Sequence, residues 1–213
     1  MARTMPIMLV SGESIPQIMA AIAAINPLPS IILRKPKRFN SIGVKGFKPI
    51  FPSIAAKNNP VSSYANSDFY SVHTFKFINK ANKTTLVKWR FIPQDGVKRL
   101  SDDELKVAPT RFLDEDIMAK TKSGPVRWDM FVTIGESTDE QTNPTVYWPA
   151  DRKQIKAGVL TLTLASPQQG GACEKINFDP LVMAQGIAPT NDPVLLFRSP
   201  AYADSYAKRL TGR

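Results

Sequence analysis

The stretch that decides the fold covers residues 70–78, YSVHTFKFI. Side chains alternate along it, so that His73, Phe75 and Phe77 share one face while Lys76 and Ile78 share the other. A two-residue period of this kind is typical of a β-strand with one face toward a hydrophobic core. We therefore expect one continuous strand that begins at Tyr70.

The residues that follow predict the partners of this strand. Residues 80–83, KANK, form a turn, after which Val87, Trp89 and Phe91 alternate with polar neighbours and complete a hairpin. Two more strands are expected over residues 126–134 and 158–164. Four strands joined as successive hairpins predict an antiparallel sheet that closes toward a barrel.

Helices are expected around this sheet. Ser101 and Glu104 have the spacing of a capping box, which starts a helix there, and a second helix is expected over residues 110–120. Apolar residues spaced three and four apart predict an amphipathic helix over residues 15–25. Residues 27–66 are rich in proline and predict a long irregular connection, with one short helix near residues 46–54.

The last segment, residues 191–209, reads NDPVLLFRSPAYADSYAKR and proposes a chemical site. Asp192 followed by proline is typical of a helix start, because the carboxylate caps free amides and proline is tolerated in the first turn. On that helix Arg198, Tyr202 and Arg209 fall on one stripe. A guanidinium beside a phenol favours the ionised phenolate, and a phenolate is a ligand for iron.

These residues carry a resemblance to a known family. The pattern Arg198-x-x-x-Tyr202 followed by Arg209, preceded by NFDP at residues 177–180, resembles the proximal haem segment of the haem catalases. The small catalase-related peroxidases are the most similar members. A second block, which spans residues 70–79, 87–93 and 96–104, is similar to the family in the same order. The resemblance covers residues 67–209 and, weakly, residues 6–27.

The resemblance implies a fold and a set of site residues. The expected fold class is α+β, with a partial, catalase-like antiparallel β-barrel, flanking helices and a C-terminal helix on the proximal side of haem. It implies that Tyr202 binds the haem iron, that Arg198 keeps the phenolate ionised, and that Arg209 contacts a haem propionate. It places His73 on the proximal side, linked through Arg198 to Tyr202. A structural core histidine is the alternative for His73.

The same resemblance implies two distal residues that are not found at the matching positions of this sequence. Family members use a distal His and a nearby Asn to move protons on peroxide, but His73 is the sole histidine and the position that matches the Asn holds Arg3. We therefore assign no catalytic residue in this chain, and we interpret residues 1–213 as one domain, N-terminally truncated relative to the family. The predicted function is a haem-dependent peroxidase that acts on hydrogen peroxide with small organic electron donors. The alternative is a haem-binding remnant without catalytic activity.

The composition of the chain bears on the other classes of function and site that were considered. The chain has 28 Lys and Arg against 18 Asp and Glu, a net charge of +10, yet the basic residues are scattered apart from RKPKR at 34–38. Nucleic-acid binding is therefore a distant third interpretation. A single cysteine and a single histidine disfavour a disulfide framework or a zinc site. No apolar run approaches the roughly 18 residues of a membrane span, so we expect a soluble protein. The sequence leaves open the oligomeric state and the compartment, cytoplasmic or periplasmic.

Overall fold

The structure is a computed structural model that describes residues 59–167, 170–171 and 174–212, together with the backbone of two short strands at 7–10 and 25–26. The strands are β1 (Ile7–Val10), β2 (Ile25–Asn26), β3 (Phe69–Ser71), β4 (Phe75–Ile78), β5 (Thr84–Pro93), β6 (Val126–Ile134), β7 (Gln154–Ser166) and β8 (Ile187–Pro189). The helices are α1 (Asp102–Val107), α2 (Phe112–Ser123) and α3 (Pro193–Thr211), and a 3₁₀ turn covers Tyr64–Asn66.

The strands form one antiparallel sheet. Its order is β1-β7-β6-β5-β3-β2, while β4 lies between β5 and β8. Among the described strands the sheet is open, since β1 and β2 lie at its two ends. The predicted α+β class with a large antiparallel sheet and a C-terminal helix is confirmed.

The core lies on one face of the sheet, where the alternation of β5 and β6 places large apolar side chains. Val87, Trp89 and Trp128 are buried there, and Ile117 of α2 belongs to the same buried cluster. The Phe75 ring stacks on Trp89 with a centroid distance of 4.5 Å, while the indole of Trp128 donates to the carbonyl oxygen of Ser67 at 3.0 Å. Burial of these aromatic rings supplies a large part of the favourable free energy of folding.

The expectation of one strand over residues 70–78 is wrong, because the strand is interrupted at residues 72–74. From Tyr70 to Phe75 the chain advances five residues, whereas its partners Arg90 and Val87 are only three residues apart on β5. Two extra residues therefore bulge out of the ladder, and His73 lies at the centre of this bulge. Two carbonyl oxygens of the bulge accept from side chains, that of His73 from Ser71 Oγ at 2.5 Å and that of Thr74 from Thr190 Oγ1 at 3.0 Å.

Other element boundaries differ in smaller ways. Ile25, the end of the expected amphipathic helix, lies in strand β2, so the prediction is wrong at that residue. Residues 11–24 and 27–58, with the rest of that helix and the expected short helix near 46–54, lie outside the described residues. Strand β7 is longer than expected and β8 was not predicted, whereas the capping box of Ser101 and Glu104 is confirmed. Among the described residues, no helix is both long and apolar enough to span a membrane.

Candidate functional site

The start of α3 organises the candidate site. Asp192 is the N-cap, as expected, and its Oδ1 accepts hydrogen bonds from the backbone amides of Val194 at 2.8 Å and Leu195 at 3.2 Å. Its second oxygen, Oδ2, lies 2.7 Å from Nδ1 of His73. One carboxylate therefore fixes both the helix and the imidazole.

His73 is only 2% exposed, and its surroundings set its charge. Burial lowers the pKa of His73 below its ordinary value, the hydrogen bond and charge of Asp192 oppose this, and the positive charges of Arg198 and Lys88 lower the pKa further. The net effect favours the neutral ring at neutral pH. Because a carboxylate only accepts hydrogen bonds, Nδ1 carries the proton toward Asp192 and Nε2 is left as an acceptor.

Arg198 and Tyr202 lie one turn apart on α3, as their spacing predicts. Nη2 of Arg198 donates to the Tyr202 hydroxyl at 2.5 Å, and the guanidinium carbon lies 5.1 Å from the centre of the tyrosine ring. Both side chains are partly exposed. The guanidinium thus donates a charge-assisted hydrogen bond to the phenol oxygen.

Arg209 lies two turns beyond Tyr202 on the same side of α3. Its Nη2 donates to the carbonyl oxygen of Ile176 at 2.7 Å, and its guanidinium lies over the ring of Tyr206. Its Nε is buried and has no hydrogen-bond partner among the described residues. A buried donor without a partner costs free energy, which an incoming carboxylate would recover.

The segment that precedes α3 holds the helix in place. Ser199 Oγ donates to the carboxylate of Asp179, whose other oxygen accepts from the amide of Leu181 at 2.8 Å. Tyr206 donates to the carbonyl oxygen of Lys175 at 2.7 Å. The helix continues through Pro200, so that Arg198, Tyr202 and Arg209 remain on one stripe.

The surroundings of Tyr202 fit a flat, anionic prosthetic group on this side of α3. The small residues Ala201 and Ser205 lie near Tyr202 on the helix and are both exposed. The unsatisfied Nε of Arg209 suits a carboxylate such as a haem propionate. Among the described residues, no cluster of three or more His, Cys, Asp or Glu side chains could hold a metal ion by itself.

The structure thus brings Asp192, His73, Arg198 and Tyr202 to the first half of α3, and Arg209 to its second half. Sequence reasoning identified Asp192 only as a cap and missed its hydrogen bond with His73. Nothing local could have revealed it, because the two residues are 119 positions apart. The bulge that turns His73 toward the helix is likewise invisible in the alternation of residues 70–78.

A large antiparallel sheet followed by a helix that carries Arg198 and Tyr202 is the arrangement that the sequence resemblance leads us to expect. The family model for catalase matches residues 53–213, and the chain therefore belongs to the catalase family.

Individual relatives agree. A catalase-related peroxidase of Synechococcus elongatus is 50% identical over 197 residues, which cover 90% of this chain and 57% of the relative. A catalase-related peroxidase of Mycolicibacterium paratuberculosis is 28% identical over 158 residues, 74% of this chain and 50% of the relative. The chain thus spans about half the length of these relatives.

Solved structures show the same fold. A fungal catalase superimposes with a TM-score of 0.62 at 22% identity over 70% of this chain and 32% of the catalase chain. A bacterial catalase gives a TM-score of 0.61 at 26% identity over 70% of this chain and 31% of its own.

Proposed function

We propose that this chain binds haem through Tyr202 and supplies the proximal side of a catalase-related peroxidase. The observation that carries the proposal is the hydrogen bond from Arg198 Nη2 to the Tyr202 hydroxyl at 2.5 Å. A partly exposed phenol can be hydrated by water and does not need such a partner for folding. A phenol that must act as an anionic ligand does.

The bound haem would supply an iron centre that reacts with hydrogen peroxide. Tyr202 would offer its oxygen as the ligand, and an anionic oxygen favours ferric over ferrous iron. Arg198 would hold that oxygen ionised through a charge-assisted hydrogen bond. Arg209 would bind a propionate through its unsatisfied Nε.

His73 and Asp192 would act behind this ligand and not on peroxide. The neutral ring of His73 is held by Asp192, and Nε2 is left as an acceptor for a nearby donor. Asp192 fixes the start of the helix that carries Arg198 and Tyr202, so the pair positions the ligand. The proposed role of His73 is that of a positioning residue.

Peroxide turnover also needs a group that moves a proton between the two peroxide oxygens. The sequence contains one histidine, and that residue is buried against Asp192. Hydrogen peroxide as oxidant and small organic molecules as electron donors are proposed from the similarity to catalase-related peroxidases, of which this chain covers about half the length. The single histidine also supports a second candidate, a haem-binding chain without catalytic activity.

A haemin titration separates these candidates. Purified chain is titrated with haemin while the visible spectrum is recorded, and oxygen evolution and dye oxidation are then assayed with hydrogen peroxide. A saturable spectrum of the ferric tyrosinate type with turnover supports the peroxidase, and the same spectrum without turnover supports the non-catalytic haem-binding chain. The absence of a saturable spectrum contradicts both.

A further inference from the structure

A polar pocket lies beside the start of α3 and outside the proposed haem site. It has a volume of about 330 Å³, is open to solvent, and lies between β4, the loop of residues 138–142 and Asn191. This volume is in the range of small-molecule sites. Neither Arg198 nor Tyr202 lines it.

The loop that forms one wall is fixed by hydrogen bonds. The carbonyl oxygen of Glu140 accepts from the indole of Trp148 at 2.8 Å and from Thr74 Oγ1 at 3.2 Å. The carbonyl oxygen of Gln141 accepts from Thr190 Oγ1 at 2.8 Å. The pocket is therefore preformed, which lowers the entropy lost when a ligand binds.

An ion pair between Arg152 and Asp139 also holds the base of the loop of residues 138–142. The buried carboxylate of Asp139 receives two hydrogen bonds from Arg152, both at 2.9 Å, and its charge is thereby compensated. Among the residues that line the pocket, the charges that remain for a ligand are those of Lys76 and Glu140, and Glu140 also interacts with the positive charge of Lys88.

These two charges line the same pocket without neutralising each other. The Lys76 ammonium makes no hydrogen bond or ion pair with the described residues. Hydrogen bonds from Thr142 and Asn143 hold the pKa of Glu140 at about 2, so this carboxylate is ionised at neutral pH. The hydrogen bonds from Thr142 and Asn143 all go to Oε1 of Glu140.

We propose that this pocket binds a small organic carboxylate that also carries an amino or hydroxyl group. The ligand carboxylate pairs with the Lys76 ammonium, where the side-chain amide of Asn191 supplies a second donor. The amino or hydroxyl group donates to Oε2 of Glu140. A simple anion such as phosphate is disfavoured, because it would satisfy Lys76 but would be repelled by Glu140.

The pocket is joined to the proposed haem site by the backbone. Asn191 directly precedes Asp192, and Lys76, on β4, follows His73 of the bulge by three residues. A molecule bound here therefore lies next to the residues that position the proposed iron ligand. That it is the organic electron donor rests on the proposed function, whereas binding itself needs no haem.

Three related probes test the proposal on the full chain without haem. Nuclear magnetic resonance shifts are followed during titration with 4-aminobenzoate, with benzoate, which lacks the amino group, and with aniline, which lacks the carboxylate. We expect saturable shifts for 4-aminobenzoate at Asn191 and residues 138–142. We expect binding weaker by about fivefold for benzoate, because one charge-assisted hydrogen bond is lost at a solvent-open position, and no saturable shift for aniline.

Two substitutions, with a third as control, test which residue binds each end of the ligand. Lys76→Gln is expected to weaken 4-aminobenzoate by about fivefold or more, whereas Lys80→Gln, in the exposed turn of the same hairpin, leaves it unchanged. Glu140→Gln keeps an oxygen that accepts from Thr142 but removes the charge, and it should abolish the preference for 4-aminobenzoate over benzoate.

Each outcome of these experiments either supports or overturns the proposed binding site. Equal binding of the three probes, equal effects of Lys76→Gln and Lys80→Gln, or no saturable shift in the wild type overturns the assignment. Haemin titration of Lys76→Gln is expected to match the wild type. If the protein binds haemin but not the probes, the proposal for this pocket fails and the proposed function stands. If the wild type binds the probes but not haemin, the proposed function fails and the proposal for this pocket stands.

Discussion

Asp192 and His73, 119 positions apart in the chain, share one buried hydrogen bond of 2.7 Å between Oδ2 and Nδ1. The other oxygen of Asp192 caps the helix that carries Arg198 and Tyr202. His73 lies in the two-residue bulge between β3 and β4, where the chain leaves the ladder that both strands form with β5. One side chain thus couples the sheet to the candidate ligand helix.

The first prediction concerns the stability that Asp192 supplies. Asp192→Ala removes the N-cap and the acceptor of His73, and we expect a loss of about 2–3 kcal/mol in the free energy of unfolding. Asp192→Asn keeps a capping oxygen and should lose less than Asp192→Ala. Urea denaturation monitored by tryptophan fluorescence measures both variants. Equal losses would show that the cap contributes nothing beyond the contact with His73.

The second prediction concerns the dependence of stability on pH. The pKa of His73 is lowered in the folded protein, so below about pH 6.5 the unfolded chain takes up a proton that the folded chain does not. The free energy of unfolding should therefore fall as the pH drops from about 6.5 toward the lower pKa of the folded state. Between pH 7 and 8 this residue should contribute no slope.

The variant His73→Gln isolates that contribution, because glutamine still donates to Asp192 but does not titrate. Urea denaturation at pH 7.5 and 5.5 should show a smaller loss of stability for His73→Gln than for the wild type. The same loss in both proteins would mean that His73 does not cause the acid sensitivity.

The third prediction concerns Arg198. Arg198→Ala removes the cation that donates to the Tyr202 oxygen, so haemin ligation should weaken. Arg198→Lys keeps the positive charge and should show a smaller effect. Haemin titrations of both variants and of the wild type measure this. An Arg198→Ala variant with the haemin affinity and spectrum of the wild type would contradict the proposed role of Arg198.

The fourth prediction concerns Arg209, the proposed propionate partner. Arg209→Ala should weaken haemin by about tenfold, the size of one charge-assisted contact, while the spectrum at saturation stays unchanged because the ligand is intact. Lys208→Ala, which removes a neighbouring exposed cation, is the matched control and should bind as the wild type does. If both variants weaken haemin equally, general charge attraction and not a specific contact explains the effect.

Much of this arrangement follows from local pattern. The hairpin of β4 and β5, the capping box at Ser101 and the start of α3 at Asp192 are confirmed, because alternation and capping depend only on near neighbours. The spacing of Arg198 and Tyr202 likewise predicts their contact. The family follows from motifs, and the match over residues 53–213 confirms it.

The features that the sequence does not reveal depend on contacts between residues that are far apart in the chain. The bulge at residues 72–74 depends on the register between β3, β4 and β5, and the alternation of residues 70–78 gives no sign of it. The contact of His73 with Asp192, and the pocket formed by Lys76, Glu140 and Asn191, join segments that are far apart in the chain. No spacing rule connects such residues before the fold is known.

The measurement that tests the account most directly compares haemin titrations of Tyr202→Phe and Tyr206→Phe. Tyr206 lies one turn further along α3 and donates to the carbonyl oxygen of Lys175, so its variant controls for the loss of a phenol from the same helix. We expect Tyr202→Phe to lose the ferric tyrosinate spectrum and Tyr206→Phe to keep it with wild-type affinity. A Tyr202→Phe variant that keeps the spectrum of the wild type would contradict the central claim that this residue binds the iron.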